Sequence, residues 1–417
     1  MSQINLQNRP ENPIQSHQQN KPTNNLHSDQ KKILLNAFDM NCVGHINHGL
    51  WTHPRDESYR FNELSYWTDL AKTLEKGLFD GLFIADITGA YDVYQNGIDL
   101  TLKESIQLPS HDPSTLVSAM AAVTEHLGFG ITVNLSYESP YQFARRFASL
   151  DHLTQGRIGW NIVTGYLDSA ERLIGQKGLK EHDQRYEQAE EFLELCYKFW
   201  EGSWENDAVI IDKKQRIFTQ PNKVHAIQHD GKFYKSEGVF QVSPSIQRTP
   251  VLFQAGASPR GLKFATRHAE AMFIGGDNTE KLKKQVDSIR ELARLDGRDD
   301  QALKLFAGIT VVTAETDELA QEKLKEYVKY ASSEAGLAHL SSSVGIDFSQ
   351  YADDDVIPYQ QTNSIVSVNN RFKEQKVTLG DLKAQHLLGG RYPLFVGSGA
   401  TVAEQLIEII DATGLDG

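Results

Sequence analysis

One stretch near the middle of the chain constrains the fold more than any other. Residues 127–134 and 158–163 are two short apolar runs that predict buried strands. Between them, Ser139 and Pro140 predict the start of a helix, and Gly156 predicts its end. Because almost no loop separates strand, helix and strand, the two strands are expected to run parallel.

The same alternation recurs along the chain and predicts a closed barrel. Further buried strands are predicted at 32–38, 81–85, 250–255, 271–274 and 303–312, nearly all followed by a helical pattern. No G-x-G-x-x-G follows the first strand, which disfavours a doubly wound dinucleotide fold. We therefore predict an α/β fold of the TIM (β/α)8 type with insertions. Only seven strands are predicted, so the eighth strand and helix are expected to be missing after Asp416-Gly417.

Outside the barrel pattern, composition predicts one tail and two insertions. Residues 1–30 are rich in Asn, Gln, Ser and His and predict a disordered tail, which leaves 31–417 as the barrel domain. Residues 205–245 alternate like an inserted β-hairpin. Residues 332–394 are enriched in Ser, Asp and Gly and suit a lid or insertion.

Charge and hydropathy exclude several classes of partner. A net charge of −13 argues against a nucleic-acid or anionic-membrane surface. No apolar run approaches the ~20 residues of a membrane span. The amino terminus lacks an apolar signal core, and two cysteines, Cys42 and Cys196, fit a reducing compartment. A cytoplasmic protein is expected.

Polar side chains cluster where the predicted strands end, which is where parallel α/β folds place their sites. Thr132 and Asn134 end the third strand, and Asp86 follows the second. A buried carboxylate at a barrel mouth can accept an N–H from a ring or orient a base. Capping a loop or helix is the commoner role of an aspartate, and both roles stay open.

A phosphate cradle is predicted where residues 254–258 lead from a strand into a helix. Free backbone N–H groups, the helix dipole and the Ser258 hydroxyl all favour an anion there, and Arg260 adds positive charge. Gly275-Gly276 after the next strand strengthens the prediction. An ordinary helix cap would have the same sequence.

Several histidines could serve a ligand. His182 and Tyr186 share one helix face and could stack on a planar group, or form only a capping cluster. Cys42 and His45, with His48, follow the first strand and could line a pocket, supply a nucleophile or bind a metal. No second ligand pair follows, so an ordinary loop is the default there.

Seven sequence segments carrying these residues resemble one enzyme family. In chain order they are 35–45, 79–86, 148–154, 159–164, 182–186, 197–204 and 254–261. They are similar to flavin-dependent monooxygenases of the bacterial-luciferase superfamily. Within it, they match the branch of nitrilotriacetate, dibenzothiophene-sulfone, dimethyl-sulfide and long-chain alkane monooxygenases. The resemblance covers residues 34–417.

This resemblance implies a cofactor and its contacts. The family binds reduced FMN, supplied by a separate NAD(P)H:flavin reductase, and inserts one oxygen atom of O2 into the substrate. Ser258 matches a phosphate contact, and Asn134 lies beside a position near the ring. The other positions that match flavin contacts are Asp86, Thr132, His182 and Tyr186.

The resemblance also implies a pocket for a small apolar substrate, an organosulfur compound or an alkane. The residues that match the alkane branch's pocket are candidates for a catalytic role: Cys42, His45, Tyr91, Gln107 and His339. Gly165 and Tyr166 stand beside the flavin site where that branch has Ser-His, whereas the sulfide branch has Tyr at the second position. A homo-oligomer is expected. The alternatives are a non-catalytic flavin-binding protein and a deazaflavin-type reductase on the same fold.

Overall fold

Thirteen strands occur in the part of the chain described by the computed structural model, which comprises residues 32–256, 258–276, 278–360, 365, 372–373, 376–388 and 392–417. The predicted tail at 1–30 lies outside these residues. The strands are β1 (Asn36–Met40), β2 (Gly81–Ala85), β3 (Gly128–Asn134), β4 (Ile158–Val163), β5 (Val209–Asp212), β6 (Ile217–Thr219), β7 (Ile227–Asp230), β8 (Lys235–Gly238), β9 (Val251–Gln254), β10 (Ala271–Ile274), β11 (Lys304–Ala307), β12 (Thr310–Ala314) and β13 (Leu394–Ser398).

Twelve α-helices occur in the described residues. They are α1 (Leu64–Lys76), α2 (Asp99–Lys103), α3 (Ser114–Ala121), α4 (Pro140–Thr154), α5 (Asp168–Leu173), α6 (His182–Tyr197), α7 (Pro259–His268), α8 (Thr279–Leu295), α9 (Asp317–Val328), α10 (Ser333–Val344), α11 (Leu379–Gln385) and α12 (Gly399–Thr413). Ser139 occupies the N-cap position of α4, although its side chain makes no capping hydrogen bond.

Seven strands form one parallel sheet in the order β1-β2-β3-β4-β9-β10-β11. This confirms the predicted α/β class with a parallel sheet. The single strand predicted at 303–312 is wrong. The ring of Tyr392 lies against Gly308. There the chain leaves the sheet, and β12 pairs with β13 instead. The single hairpin predicted at 205–245 is also wrong, because β5–β6 and β7–β8 form two antiparallel pairs.

Phenylalanine rings fill the interior enclosed by the curved sheet. The ring of Phe83 on β2 lies 5.5 Å from that of Phe253 on β9 and 4.5 Å from that of Phe273 on β10, strands that are not its neighbours. A Cβ on Gly130 would lie 2.8 Å from the Phe83 ring, and one on Gly159 would lie 2.7 Å from Phe253. Two strands therefore carry glycine so that the rings of the others fit, as in a packed barrel core.

The next inward-facing positions bring polar groups above this aromatic layer. Side chains alternate along a strand, so Thr132 shares the face of Gly130, and Asn161 shares that of Gly159. The register pairs Gly130 with Gly159 and Thr132 with Asn161. The polar pair therefore lies on the carboxyl-terminal side of the aromatic layer.

Asp416 and Gly417 hydrogen-bond to β11, and Asp416 also hydrogen-bonds to Leu34, which precedes β1. The Asp416 N–H donates to the Leu305 carbonyl on β11, and the Leu34 N–H ahead of β1 donates to the Asp416 carbonyl, both at 2.9 Å. The Asp416 carboxylate accepts from Arg290 at 2.7 Å and from the Leu305 N–H at 2.9 Å. This segment joins β11 to the residues leading into β1. The expected lack of an eighth strand and helix stays a prediction.

A second apolar cluster lies over the loops that follow β2 and β4. Leu337 and Leu340 of α10 pack in it with Tyr91 and Ile106 of the β2 loop. This packing holds α10, which falls within the predicted 332–394 insertion and carries His339, against the strand-end loops.

Candidate functional site

Thr132 and Asn161 form a polar floor at the carboxyl ends of β3 and β4. The Asn161 amide Nδ2 donates to Thr132 Oγ1 at 2.9 Å, and both residues are buried. Asn161 Oδ1 has no hydrogen-bond partner among the described residues. Since a buried acceptor without a donor costs free energy, the floor suits a ligand that brings an N–H. The sequence analysis missed Asn161. Its position two residues after Gly159, on the same face of the strand, was a usable signal.

Asp86 leaves β2 beside this floor with a strongly perturbed acidity. Burial raises the pKa of Asp86 to about 7; the Asp112 carboxylate adds to the rise, and a hydrogen bond from the Ile87 N–H opposes it. Burial also raises the pKa of Asp39 on β1 to about 6. Both carboxyls therefore spend part of the neutral pH range protonated, where Asp86 can donate a hydrogen bond as well as accept one.

Cys42 lies in the loop directly after β1 and is buried. Burial raises the pKa of its thiol far above the usual value, and the Asp39 and Asp86 carboxylates raise it further. The thiolate is the nucleophilic form of cysteine. The thiol of Cys42 is therefore neutral at physiological pH, which favours a pocket-lining role over the nucleophile alternative; both stay predictions.

Ser258, His182 and Tyr186 converge at the start of α7. Ser258 Oγ accepts from the Gly261 N–H at 3.0 Å and lies 3.2 Å from His182 Nε2. The rings of His182 and Tyr186 are 5.1 Å apart, and the Tyr186 hydroxyl accepts from Gln254 at 3.4 Å. Ser258 is thus both a helix cap and a member of a polar cluster shared with α6.

Two glycines let the backbone close on this cluster. A Cβ on Gly256 would lie 2.8 Å from the Tyr186 hydroxyl oxygen, and one on Gly261 would lie 2.7 Å from it. The Arg260 guanidinium lies 5.8 Å from the centre of the Tyr186 ring and 3.4 Å from Glu190. A helix amino terminus, a hydroxyl, an imidazole and a guanidinium therefore meet here, a set that suits a phosphate group.

Arg185 connects this cluster to the end of β4. Its guanidinium Nη1 donates to the Gly165 carbonyl at 2.5 Å, and burial lowers its pKa. Gly165 has a φ of +75°, and a Cβ there would lie 2.6 Å from Asn134 Nδ2. Asn134 and Gly165 therefore lie against each other. Arg185 carried no sequence signal beyond its place between His182 and Tyr186.

The remaining predicted residues form a hydrogen-bonded group beneath α10. The Tyr91 hydroxyl donates to Gln107 Oε1 at 2.6 Å and lies 3.3 Å from the Tyr166 hydroxyl. Gln107 Nε2 donates to the His45 carbonyl, and the Tyr91 and His339 rings are 4.5 Å apart. Residues from three strand-end loops and helix α10 thus form one wall.

His45 and His48 differ in their surroundings. The His45 ring meets Phe38 of the barrel interior edge-on, with centroids 4.4 Å apart. His48 Nε2 lies 2.9 Å from His339 Nδ1. No three His, Cys, Asp or Glu side chains of the described residues are grouped as metal ligands, and no helix among them is long and apolar enough to cross a membrane.

Comparison with known proteins identifies the family. The family model of luciferase-like monooxygenases matches residues 45–417. A long-chain alkane monooxygenase of Geobacillus thermodenitrificans is 48% identical over 387 residues, 93% of this chain and 84% of the relative. A dimethyl-sulfide monooxygenase of Hyphomicrobium sulfonivorans is 45% identical over 93% of this chain and 82% of its own. A solved long-chain alkane monooxygenase superposes with a TM-score of 0.86 at 46% identity, covering 93% of this chain and 86% of that one. This chain therefore belongs to the luciferase-like monooxygenases, a family of flavin-dependent oxidoreductases.

Proposed function

We propose that this protein is a two-component monooxygenase that oxygenates a small apolar substrate, an organosulfur compound or an alkane. It would use O2 and reduced FMN delivered by a separate NAD(P)H:flavin reductase. Relatives named for an alkane and a sulfide, at 48% and 45% identity, support the substrate class. A more distant relative is an FMNH2-dependent dimethylsulfone monooxygenase. The observation that carries the proposal is the cluster of Ser258, His182 and Tyr186 at the α7 amino terminus.

The residues of the site fit a flavin mononucleotide. The α7 N–H groups and the Ser258 hydroxyl would hold the phosphate, and Arg260 would add positive charge. The Asn161 Oδ1 acceptor, which has no partner among the described residues, would take an N–H of the ring. Thr132 lies beside Asn161, and Asp86 would hydrogen-bond at the ring edge.

The bound flavin supplies the activation of oxygen, and the protein supplies placement and exclusion of water. Tyr91 belongs to the apolar cluster that packs on α10, and both Tyr91 and Gln107 are buried. This packing would keep water away from them. The Tyr91–Gln107 hydrogen bond holds the Tyr91 hydroxyl in one orientation. His339 and His45 are the groups proposed to hold or move a proton, and Cys42 contributes a neutral thiol to the pocket.

Oxygen uptake tests this function directly. The purified protein is mixed with FMN, NADH and a generic flavin reductase, and a panel of sulfides, sulfones, alkanes and aminopolycarboxylates is screened for consumption of O2 and formation of product. We expect oxygenated product from a sulfide or an alkane. Hydride transfer to a substrate from a reduced deazaflavin without O2 uptake would identify a reductase. FMN binding without any product would identify a flavin-binding protein.

Ser258→Ala should weaken FMN binding by about 1–3 kcal/mol, because the variant leaves the phosphate without one buried donor. Titration of reduced and oxidised FMN by calorimetry or fluorescence measures this change. The matched control is Thr316→Ala, since Thr316 caps α9 in the same way through the Leu319 N–H. Both variants should lose about 1 kcal/mol of stability from the missing cap, but only Ser258→Ala should lose FMN affinity. Equal FMN affinity in the two variants would remove Ser258 from the site.

A further inference from the structure

Two buried histidines from distant parts of the chain share a hydrogen bond beside the site. His48 Nε2 and His339 Nδ1 are 2.9 Å apart, and the two residues are only 4% and 6% exposed. The rings meet edge to face, with centroids 5.1 Å apart. The His339 ring also lies 4.5 Å from the ring of Tyr91. His339 therefore contacts both His48 and Tyr91.

The main chain holds His48 at the start of the helix that carries His339. The His48 carbonyl accepts from the Ser332 N–H at 2.9 Å, and Ser332 is the N-cap of α10. Gly49 has a φ of +87°, and a Cβ there would lie 2.5 Å from the Tyr330 carbonyl and 2.7 Å from the Ser332 nitrogen. Only glycine allows this close approach. The loop after β1 is thus fixed to the base of α10.

This hydrogen bond restricts what His339 can do. Between two neutral imidazoles, one of the facing nitrogens carries the proton and the other supplies the lone pair. Since Nδ1 of His339 is committed to His48, His339 can act on a ligand only through Nε2. Burial and like-charge repulsion oppose a doubly charged pair. The tautomers of the two rings are therefore coupled. When His48 donates, the proton of His339 is on Nε2, and when His339 donates, Nε2 carries none.

We infer that His48 is a positioning residue for His339: its hydrogen bond to Nδ1 couples the tautomer of His339 to its own and holds the His339 ring in its orientation against Tyr91. The catalytic meaning of this inference rests on the proposed monooxygenase function, while the tautomer coupling does not. A phenylalanine at position 48 would fill similar volume but leave Nδ1 of His339 without this partner. A glutamine could still donate to it or accept from it.

The test compares His48→Phe with His48→Gln, and uses His126→Gln on the exposed surface as the control. With histidine labelled by 15N, solid-state NMR reports the tautomer of His339, assigned by the signal lost in His339→Asn. We expect the proportions of the two His339 tautomers to change in His48→Phe, and to change less in His48→Gln, whose amide can still pair with Nδ1. Turnover with the substrate identified by oxygen uptake should fall about 10- to 100-fold in His48→Phe, while FMN affinity and KM stay unchanged. His48→Gln should restore most of it.

Two results would overturn the inference. One is unchanged proportions of the His339 tautomers in His48→Phe. The other is an equal loss of turnover in the Phe and Gln variants that follows a lowered melting temperature, which would make His48 a packing residue only. If the wild type oxygenates no substrate, the proposed function fails, whereas the 15N signal still decides whether the tautomer of His339 depends on His48.

Discussion

Asp416→Ala should lower the free energy of unfolding by about 3–5 kcal/mol, because it leaves a buried guanidinium without its counter-charge. The side chains of Arg290 and Asp416 are 9% and 6% exposed, and their closest N and O atoms are 2.7 Å apart. The same carboxylate accepts from the Leu305 N–H on β11. The variant thus removes the ion pair and a strand contact together. Chemical denaturation followed by circular dichroism measures the loss.

Two further variants serve as controls for this prediction. Asp411→Ala replaces an exposed aspartate of the adjoining helix and should change the free energy of unfolding by less than about 0.5 kcal/mol. The double variant Arg290→Met with Asp416→Leu should recover only part of the stability. An apolar pair can replace a buried ion pair, but it leaves the Leu305 N–H and the Leu303 carbonyl without these side-chain partners. Equal stability of Asp416→Ala and Asp411→Ala would show that the buried pair contributes little.

Asp86 should stabilise the folded protein by at most about 4 kcal/mol at pH 4, and this contribution should be lost as the pH rises through about 7. The pKa of Asp86 is about 7 in the folded protein, against an ordinary value of 3.8. Between these values the folded protein keeps a proton that the unfolded chain releases. The stabilisation is therefore complete below about pH 4 and is lost as the pH passes through 7.

Asp86→Asn separates this contribution from the rest. The amide stays neutral, so the variant should resemble the wild type at pH 4 and be the more stable of the two at pH 8. Asp39, with a pKa of about 6, acts in the same direction, and the difference between variant and wild type cancels it. Asp69→Asn on the exposed face of α1 is the control and should follow the wild-type curve. A parallel pH dependence in Asp86→Asn and wild type would contradict the raised pKa.

Sequence reasoning located most strands because each is a local pattern. The predictions at 81–85, 158–163 and 271–274 agree with β2, β4 and β10. The strand predicted at 303–312 failed for a non-local reason, since Tyr392 lies against Gly308 where the chain changes sheets. The second hairpin was missed because alternation over 205–245 does not show where one pair ends and the next begins.

The residues of the site also fall into two groups, those with a local sequence signal and those whose role depends on distant residues. The cap at Ser258 is local, because its hydroxyl accepts from the N–H three residues later, and a cap was one of the two alternatives for residues 254–258. Asn161 was missed because its meaning depends on the register with Thr132 on the neighbouring strand. Tyr91 and Gln107 became candidate site residues through the family resemblance. The hydrogen bond between them is seen only in the structure.

Local patterns in this sequence determine the strands, the helices and their caps, because the interactions that form them join residues only a few positions apart. The tertiary structure alone decides which polar groups meet. His48 and His339 are 291 residues apart along the chain, and Arg290 and Asp416 are 126 apart. Such contacts depend on the order and curvature of the whole sheet, so no short stretch of sequence contains them.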